Sequence, residues 1–131
     1  MKRLSTILLS MLLLTGCVAG NSTVQSSEGR YIQITQQEAK SLMDSDLSVV
    51  ILDVRTMEEY QQGHIPNAIL LPDYEVSERA QEVIPDKDSI VLVYCRSGRR
   101  SLGAAQTLAE MGYTDVREFG GIITWEYEIT T

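Results

Sequence analysis

One stretch near the carboxyl-terminal third of the sequence constrains the fold more than any other. Five consecutive apolar or aromatic residues, Ile90 to Tyr94, are followed by Cys95, a short polar loop and a run rich in helix formers from Ser101 to Met111. A continuous apolar run of this length is typical of a parallel strand that is buried on both faces. The sequence therefore predicts a strand, a loop and a helix in direct succession.

Cys95 falls at the carboxyl end of this predicted strand, just ahead of the helix. Ligands of open α/β sheets bind outside the carboxyl ends of the strands. A helix start also supplies free N–H groups and a partial positive charge, which favour the nucleophilic thiolate form of a cysteine. The alternative is a small, packed and unreactive thiol. Three arginines, Arg96, Arg99 and Arg100, follow within five residues and argue against that alternative.

The rest of the chain alternates between strand and helix patterns. Strands are predicted at residues 31–34, 49–52, 68–71, 90–94 and 116–119, and helices at 35–43, 56–63, 76–83, 101–111 and 122–127. Two of these helices open with a capping box, at Thr35–Glu38 and Thr56–Glu59. Such alternation predicts an α/β fold, with a central parallel sheet of about five strands, helices on both faces and right-handed crossovers.

The loop Cys95-Arg96-Ser97-Gly98-Arg99-Arg100-Ser101 resembles the active-site loop of single-domain rhodaneses, which are sulfurtransferases. The resemblance runs through residues 31–131, and it includes Leu52-Asp53-Val54-Arg55, Glu58-Glu59-Tyr60, Gly63-His64-Ile65-Pro66-Asn67-Ala68 and Gly120-Gly121-Ile122 with Trp125. It implies the rhodanese-like fold and a catalytic Cys95 that carries a sulfane sulfur as a persulfide. The sulfur would come from a donor such as thiosulfate and pass to a thiophilic acceptor. No cofactor is expected.

The small sulfur-containing anion is expected to bind at the loop. The residues assigned to substrate binding are Arg55, Arg96, Ser97, Gly98, Arg99 and Arg100. Asp53 is assigned to structural support, because it can pair with Arg55 or with a loop arginine at the same edge of the sheet. Arg55 suits bracing and substrate contact equally well. Trp125 suits either a wall of the site or the core.

His64 is the only histidine and invites comparison with a Cys–His catalytic pair. However, Gly63-His64-Ile65-Pro66 has the character of a turn that leads into the third strand, and in the resembled family this histidine belongs to a structural motif. We therefore assign His64 to structural support. A lone histidine offers no cluster of ligands, so no metal site is predicted.

The amino-terminal segment has the pattern of a targeting sequence. Lys2 and Arg3 precede an apolar stretch at residues 7–14 that is too short to span a membrane. Leu14-Thr15-Gly16-Cys17 resembles the lipobox of bacterial lipoproteins, which implies a signal peptide at 1–16 and lipidation of Cys17. Residues 17–30 would form the lipidated start and a flexible tether, and 31–131 the rhodanese-like domain. The alternative is an ordinary secretory peptide with an incidental cysteine.

Charge and cysteine content limit the classes of molecule that the protein is expected to bind. The chain carries a net charge of −7 and no basic stripe, which opposes nucleic-acid binding. If Cys17 is lipidated, Cys95 has no disulfide partner, and an unpaired thiol in an exported protein suggests reactivity. We expect a monomer outside the cytoplasm, lipid-anchored to a bacterial membrane, that meets a small anion and a possible protein sulfur acceptor.

Two other functions remain open from the sequence. A phosphatase or arsenate reductase on the same fold needs a roomier loop, with five residues between cysteine and arginine, whereas four separate Cys95 from Arg100. A non-enzymatic or partner-specific persulfide carrier or binding module fits the same residues.

Overall fold

The computed structural model describes residues 29–131. These residues form five strands and four helices. The strands are β1 (Ile32–Gln33), β2 (Val49–Asp53), β3 (Ile69–Leu70), β4 (Ile90–Cys95) and β5 (Asp115–Gly121), and the helices are α1 (Gln36–Met43), α2 (Met57–Gln62), α3 (Val76–Val83) and α4 (Arg99–Glu110). None of the helices in this part of the chain is long and apolar enough to cross a membrane.

The five strands form one parallel sheet in the order β1-β5-β4-β2-β3. β4 lies at the centre, and its side chains alternate between two apolar clusters. Val91, Val93 and Cys95 join one cluster, whereas Leu92 and Tyr94 join the other. Residues of α3 and α4 complete the first cluster, and α1 and α2 contribute to the second. The predicted α/β architecture with helices on both faces is confirmed.

Both predicted capping boxes are present. The Thr35 hydroxyl accepts a hydrogen bond from the Glu38 N–H, and the Glu38 carboxylate accepts one from the Thr35 N–H. Thr56 and Glu59 make the same exchange at the start of α2. α2 has six residues and none of them is buried, so its start depends strongly on this cap. Such a cap stabilises a helix by about 1 kcal/mol.

Two predicted helix boundaries are wrong. α4 begins at Arg99 rather than at Ser101, because Gly98 adopts a φ of 96° and turns the chain into the helix earlier. The helix predicted over 122–127 is only a 3₁₀ turn, Ile122–Thr124, after which Trp125 is extended. β-branched residues at 122, 123 and 124 lose side-chain freedom in a helix, which explains the early stop.

The predicted signal peptide, Cys17 and the tether up to residue 28 lie outside the described residues. β1 lies at one edge of the sheet, where it pairs with β5 alone.

Candidate active site

The site forms where β4 ends and α4 begins. The loop between them passes over the end of β5, and the pairing of β4 with β5 shifts register between Val93 and Cys95, so that Cys95 faces Gly121. Gly98 needs its positive φ, which favours glycine. A side chain at Gly121 would overlap the Arg96 carbonyl group, so this glycine gives the loop its space.

The Cys95 sulfur is fully buried within this loop and is not part of a disulfide. The Gly98 N–H donates a hydrogen bond to Sγ at 3.1 Å, and the Ser101 Oγ lies 3.4 Å from Sγ. The first N–H groups of α4 have no partner within the helix, and the helix start carries a partial positive charge. The Gly98 N–H and this helix start both stabilise negative charge on the sulfur.

The three loop arginines differ in their partners. Arg100 forms a double hydrogen bond with the Glu59 carboxylate, with both N–O distances at 2.8 Å. Hydrogen bonding to Arg100 lowers the pKa of Glu59 to about 2, although partial burial opposes the change. The same bond raises the pKa of Arg100 well above its ordinary value, and the field of Cys95 adds to the rise. Arg96 and Arg99 are exposed, and neither forms an ion pair with another described residue.

Asp53 and Arg55 pair with each other and not with the loop arginines. Arg55 Nε and Nη2 donate to the Asp53 carboxylate, with the shortest distance at 2.7 Å, and Nη2 also donates to the Gly63 carbonyl group at 2.7 Å. Asp53 further accepts a 2.6 Å hydrogen bond from the Tyr94 hydroxyl. Burial lowers the pKa of Arg55, but the hydrogen bond and charge of Asp53 outweigh burial and raise it overall. Burial, followed by Asp53, raises the pKa of Tyr94.

Arg55 also contributes to an open pocket of about 420 Å³ beside the loop. The lining of this pocket combines charged side chains, those of Arg55, Glu59 and Arg96, with isoleucines at 122, 123 and 129. Arg55 is thus a buried partner of Asp53 and also lines the pocket, and its predicted substrate contact stays a prediction. Trp125 is absent from the residues that line this pocket and packs on Phe119, with ring centroids 5.6 Å apart.

His64 lies in the turn that follows α2 and is held by contacts away from Cys95. Its ring stacks on Tyr60 with centroids 3.7 Å apart, and its Nδ1 lies 2.9 Å from the Tyr60 carbonyl oxygen. Because a carbonyl group only accepts, Nδ1 carries the proton. The His64 backbone exchanges two hydrogen bonds of 2.8 Å with Thr130, which ties the end of the chain to this turn.

The sequence reasoning missed two buried residues at the site, Ser101 and Glu118. The Ser101 hydroxyl donates a 2.6 Å hydrogen bond to Glu118 Oε1, which also accepts from the Gly120 N–H at 2.8 Å. Glu118 is only 2% exposed. The sequence did contain a signal for Glu118. It lies two residues after Val116 in a predicted strand, so its side chain shares the buried face with the side chain of Val116.

Comparison with known proteins identifies the family. The rhodanese-like domain family matches residues 35–128. The chain belongs to the rhodanese family. It is 49% identical to a thiosulfate sulfurtransferase of Escherichia coli, PspE, over 71 residues that cover 54% of this chain and 68% of that protein. It is 43% identical to a putative sulfur carrier protein of Bacillus subtilis, YrkF, over 84 residues that cover 64% of this chain and 44% of that protein.

The fold of this rhodanese-like chain agrees with a solved structure. A rhodanese with anions from Escherichia coli superposes with a TM-score of 0.61 at 42% identity, covering 64% of this chain and 99% of the other. The predicted rhodanese-like fold is therefore confirmed, and the family relationship supports sulfur transfer in general.

Proposed function

We propose that this rhodanese is a sulfurtransferase that takes a sulfane sulfur from a donor such as thiosulfate and carries it as a persulfide on Cys95. The observation that carries the proposal is the setting of the Cys95 sulfur. The sulfur accepts a hydrogen bond from the Gly98 N–H, with 3.1 Å between nitrogen and sulfur, and it lies beside the start of a twelve-residue helix. A fixed set of N–H donors stabilises developing negative charge, as an oxyanion hole does.

The first half of the reaction forms the persulfide. The Cys95 thiolate attacks the outer sulfur of thiosulfate, and a new bond forms between Sγ and that sulfur. The bond to the sulfonate sulfur breaks, and sulfite leaves with its electron pair. Arg96 and Arg99, exposed and without an ion pair among the described residues, attract the incoming dianion.

The second half returns the enzyme to its starting state. A nucleophile such as cyanide or a thiol attacks the outer persulfide sulfur, and the electron pair of the broken sulfur–sulfur bond returns to Sγ. The N–H donors that stabilised the first thiolate stabilise the regenerated one. Arg55, Ser97 and Gly98 remain proposed substrate-binding residues, and Arg55 lines the pocket beside the loop. Arg100 remains one through its positive charge, because Glu59 engages its terminal nitrogens.

The pairing of Arg100 argues against phosphate chemistry. Phosphatases of this general design need an arginine that clamps the phosphate oxygens in a bidentate manner. Here both terminal nitrogens of Arg100 are engaged by Glu59 at 2.8 Å. A partner-specific persulfide carrier is the stronger alternative, because the similar Bacillus subtilis protein is named a putative sulfur carrier.

An assay with two substrates separates these functions. The purified protein should form thiocyanate from thiosulfate and cyanide, and it should show negligible hydrolysis of an aryl phosphate. A carrier would accept sulfur from thiosulfate yet release little thiocyanate without its protein acceptor. Phosphate hydrolysis without thiocyanate formation would overturn the proposal.

We also propose that the protein is a monomer anchored outside the cytoplasm of a bacterium through lipidated Cys17, with a signal peptide at 1–16 and a tether at 17–30. The support is the Leu14-Thr15-Gly16-Cys17 motif and the polar composition that follows it. Two or more acyl chains anchor a protein stably, whereas one does not.

A further inference from the structure

Ser101 connects the Cys95 sulfur to a buried carboxyl group, and we propose that this group, Glu118, takes up the proton that Cys95 releases. The inference rests on the proposed function, because it concerns how Cys95 becomes the nucleophile. Glu118 is then a positioning residue that acts on the sulfur through the Ser101 hydroxyl group.

The three groups form a continuous buried path from β4 through α4 to β5. Cys95 Sγ lies 3.4 Å from Ser101 Oγ, and Ser101 Oγ lies 2.6 Å from Glu118 Oε1. Cys95 and Ser101 are fully buried and Glu118 nearly so, which excludes bulk water from the path. The shorter distance is that of a strong hydrogen bond between two oxygens, which a carboxylate and a carboxylic acid can both form with a hydroxyl group.

The surroundings leave Glu118 without a compensating cation. Its contacts are to neutral donors: the Ser101 hydroxyl, the Gly120 N–H at 2.8 Å and the Gln33 side chain at 3.3 Å. It forms no ion pair with any residue in the range 29–131. On the side of the sulfur, Arg100 acts on Cys95, but Glu59 offsets its charge.

The Ser101 hydroxyl has one hydrogen and two neighbours. It can donate to Glu118 or to the Cys95 sulfur, but not to both. With a thiol and a carboxylate, the S–H donates to Ser101 and Ser101 donates to Glu118. With a thiolate, the sulfur needs the Ser101 hydrogen, and a protonated Glu118 then donates to Ser101. Two negative charges this close are disfavoured in a buried site, and the path of hydrogen bonds lets the two groups exchange one proton.

The change from one arrangement to the other is a proton transfer in two coupled moves. The Sγ–H bond of Cys95 breaks and its proton passes to Ser101 Oγ, while the Ser101 hydroxyl proton passes to Glu118 Oε1. The electron pair of the broken bond remains on sulfur, the carboxylate becomes a carboxylic acid, and nothing is oxidised or reduced. The site gains a nucleophile without a change in its total charge.

The decisive experiment observes the Glu118 carboxyl group when Cys95 is blocked. In the full chain carrying Cys17→Ser and ¹³C-labelled glutamate, the Glu118 carboxyl signal is recorded at pH 7 before and after alkylation of Cys95 with iodoacetamide. Alkylation removes the thiolate, so Glu118 should give up its proton and its signal should move toward the carboxylate position. A signal that does not move, whether it reports a carboxylate or a carboxylic acid, would overturn the proposal.

A kinetic measurement separates proton sharing from a structural role of the Ser101 hydrogen bond. The parent should react with iodoacetamide at a nearly constant rate between pH 6 and 8, because the pair holds one proton throughout. Ser101→Ala breaks the path but retains the Glu118 carboxyl group. Its rate should rise about tenfold per pH unit, as the thiolate fraction of an isolated thiol does. Identical profiles for the two proteins would equally overturn the proposal.

Gln33→Ala is the matched control. It removes a contact to Glu118 Oε2 that lies off the path, so its alkylation profile should equal that of the parent. No sulfur donor enters either measurement, so a negative result here would leave the proposed sulfur transfer standing. The NMR comparison keeps Ser101 and Glu118 unchanged, so it stands even if Ser101→Ala fails to fold.

Discussion

At the scale of single residues, the arginines in and after the loop between β4 and α4 differ in whether a carboxylate pairs with them. Arg100 is fixed on Glu59, whereas Arg96 and Arg99 are exposed and unpaired within the described chain. The ion pair holds Arg100 in place, and we propose that the two exposed arginines attract the anion. Neighbouring arginines thus differ in their surroundings, because Glu59, 41 residues from Arg100 in the sequence, pairs with Arg100 alone.

The Glu59–Arg100 pair predicts a pH-dependent contribution to stability. The pKa of Glu59 is lowered from 4.5 to about 2, so its contribution is fully present above about pH 4.5 and is lost as the pH falls toward 2. Glu59→Gln should lower the free energy of unfolding by about 1–2 kcal/mol at pH 7, after allowance for solvent screening of a pair that is only partly buried. The measurement is urea unfolding at several pH values.

Glu58→Gln is the control for this prediction, because Glu58 is exposed on the same helix turn and carries no described contact. It should leave the free energy of unfolding nearly unchanged. An equal loss from Glu59→Gln at pH 7 and at pH 2 would show that the ion pair is not its cause.

At the scale of elements, the junction of β4 and α4 depends on glycines in a neighbouring strand. Local patterns predict the buried strand at 90–94 and both capping boxes, because an apolar run and the T-x-x-E spacing each involve only residues that are neighbours in the sequence. The start of α4 was misplaced by two residues, since Gly98 takes its conformation where the loop packs against Gly120. The Ser101–Glu118 contact also joins distant segments, which no local pattern reveals.

Gly121 and Gly103 form a matched pair of glycine tests. Gly121→Ala places a methyl group on the Arg96 carbonyl group, so the loop must move. We expect thiocyanate formation to fall at least about tenfold, in keeping with the sensitivity of catalysis to misplacements of about 1 Å. Gly103→Ala meets no atom within 4 Å in a helix and should raise the free energy of unfolding by about 0.5–1 kcal/mol with activity retained. Unchanged activity in Gly121→Ala would contradict the role of this contact.

At the scale of the whole molecule, a locally basic loop is set in an acidic chain of net charge −7. The sheet positions this loop at the carboxyl ends of its strands, where open α/β folds bind ligands. The family relationship covers residues 35–128, and the amino-terminal segment lies apart from it. That segment carries the separate proposal of a lipid anchor.

The anchor is tested by labelling in cells. Radiolabelled fatty acid should be incorporated into the parent protein and not into Cys17→Ser, because the Cys17 sulfur is the proposed attachment atom. Cys95→Ser is the control and should label like the parent. Equal labelling of the parent and Cys17→Ser would contradict the lipoprotein proposal.

The most direct test of the central claim is the mass of the protein after exposure to thiosulfate. In a Cys17→Ser background, Cys95 is the only cysteine. We expect thiosulfate to add one sulfur atom to the intact protein, peptide mapping to assign it to Cys95, and cyanide to remove it with formation of thiocyanate. Cys95→Ser, which retains the loop but lacks the thiol, should gain nothing. Thiocyanate formation without a sulfur adduct on Cys95, or full activity in Cys95→Ser, would contradict a persulfide on Cys95 as the intermediate.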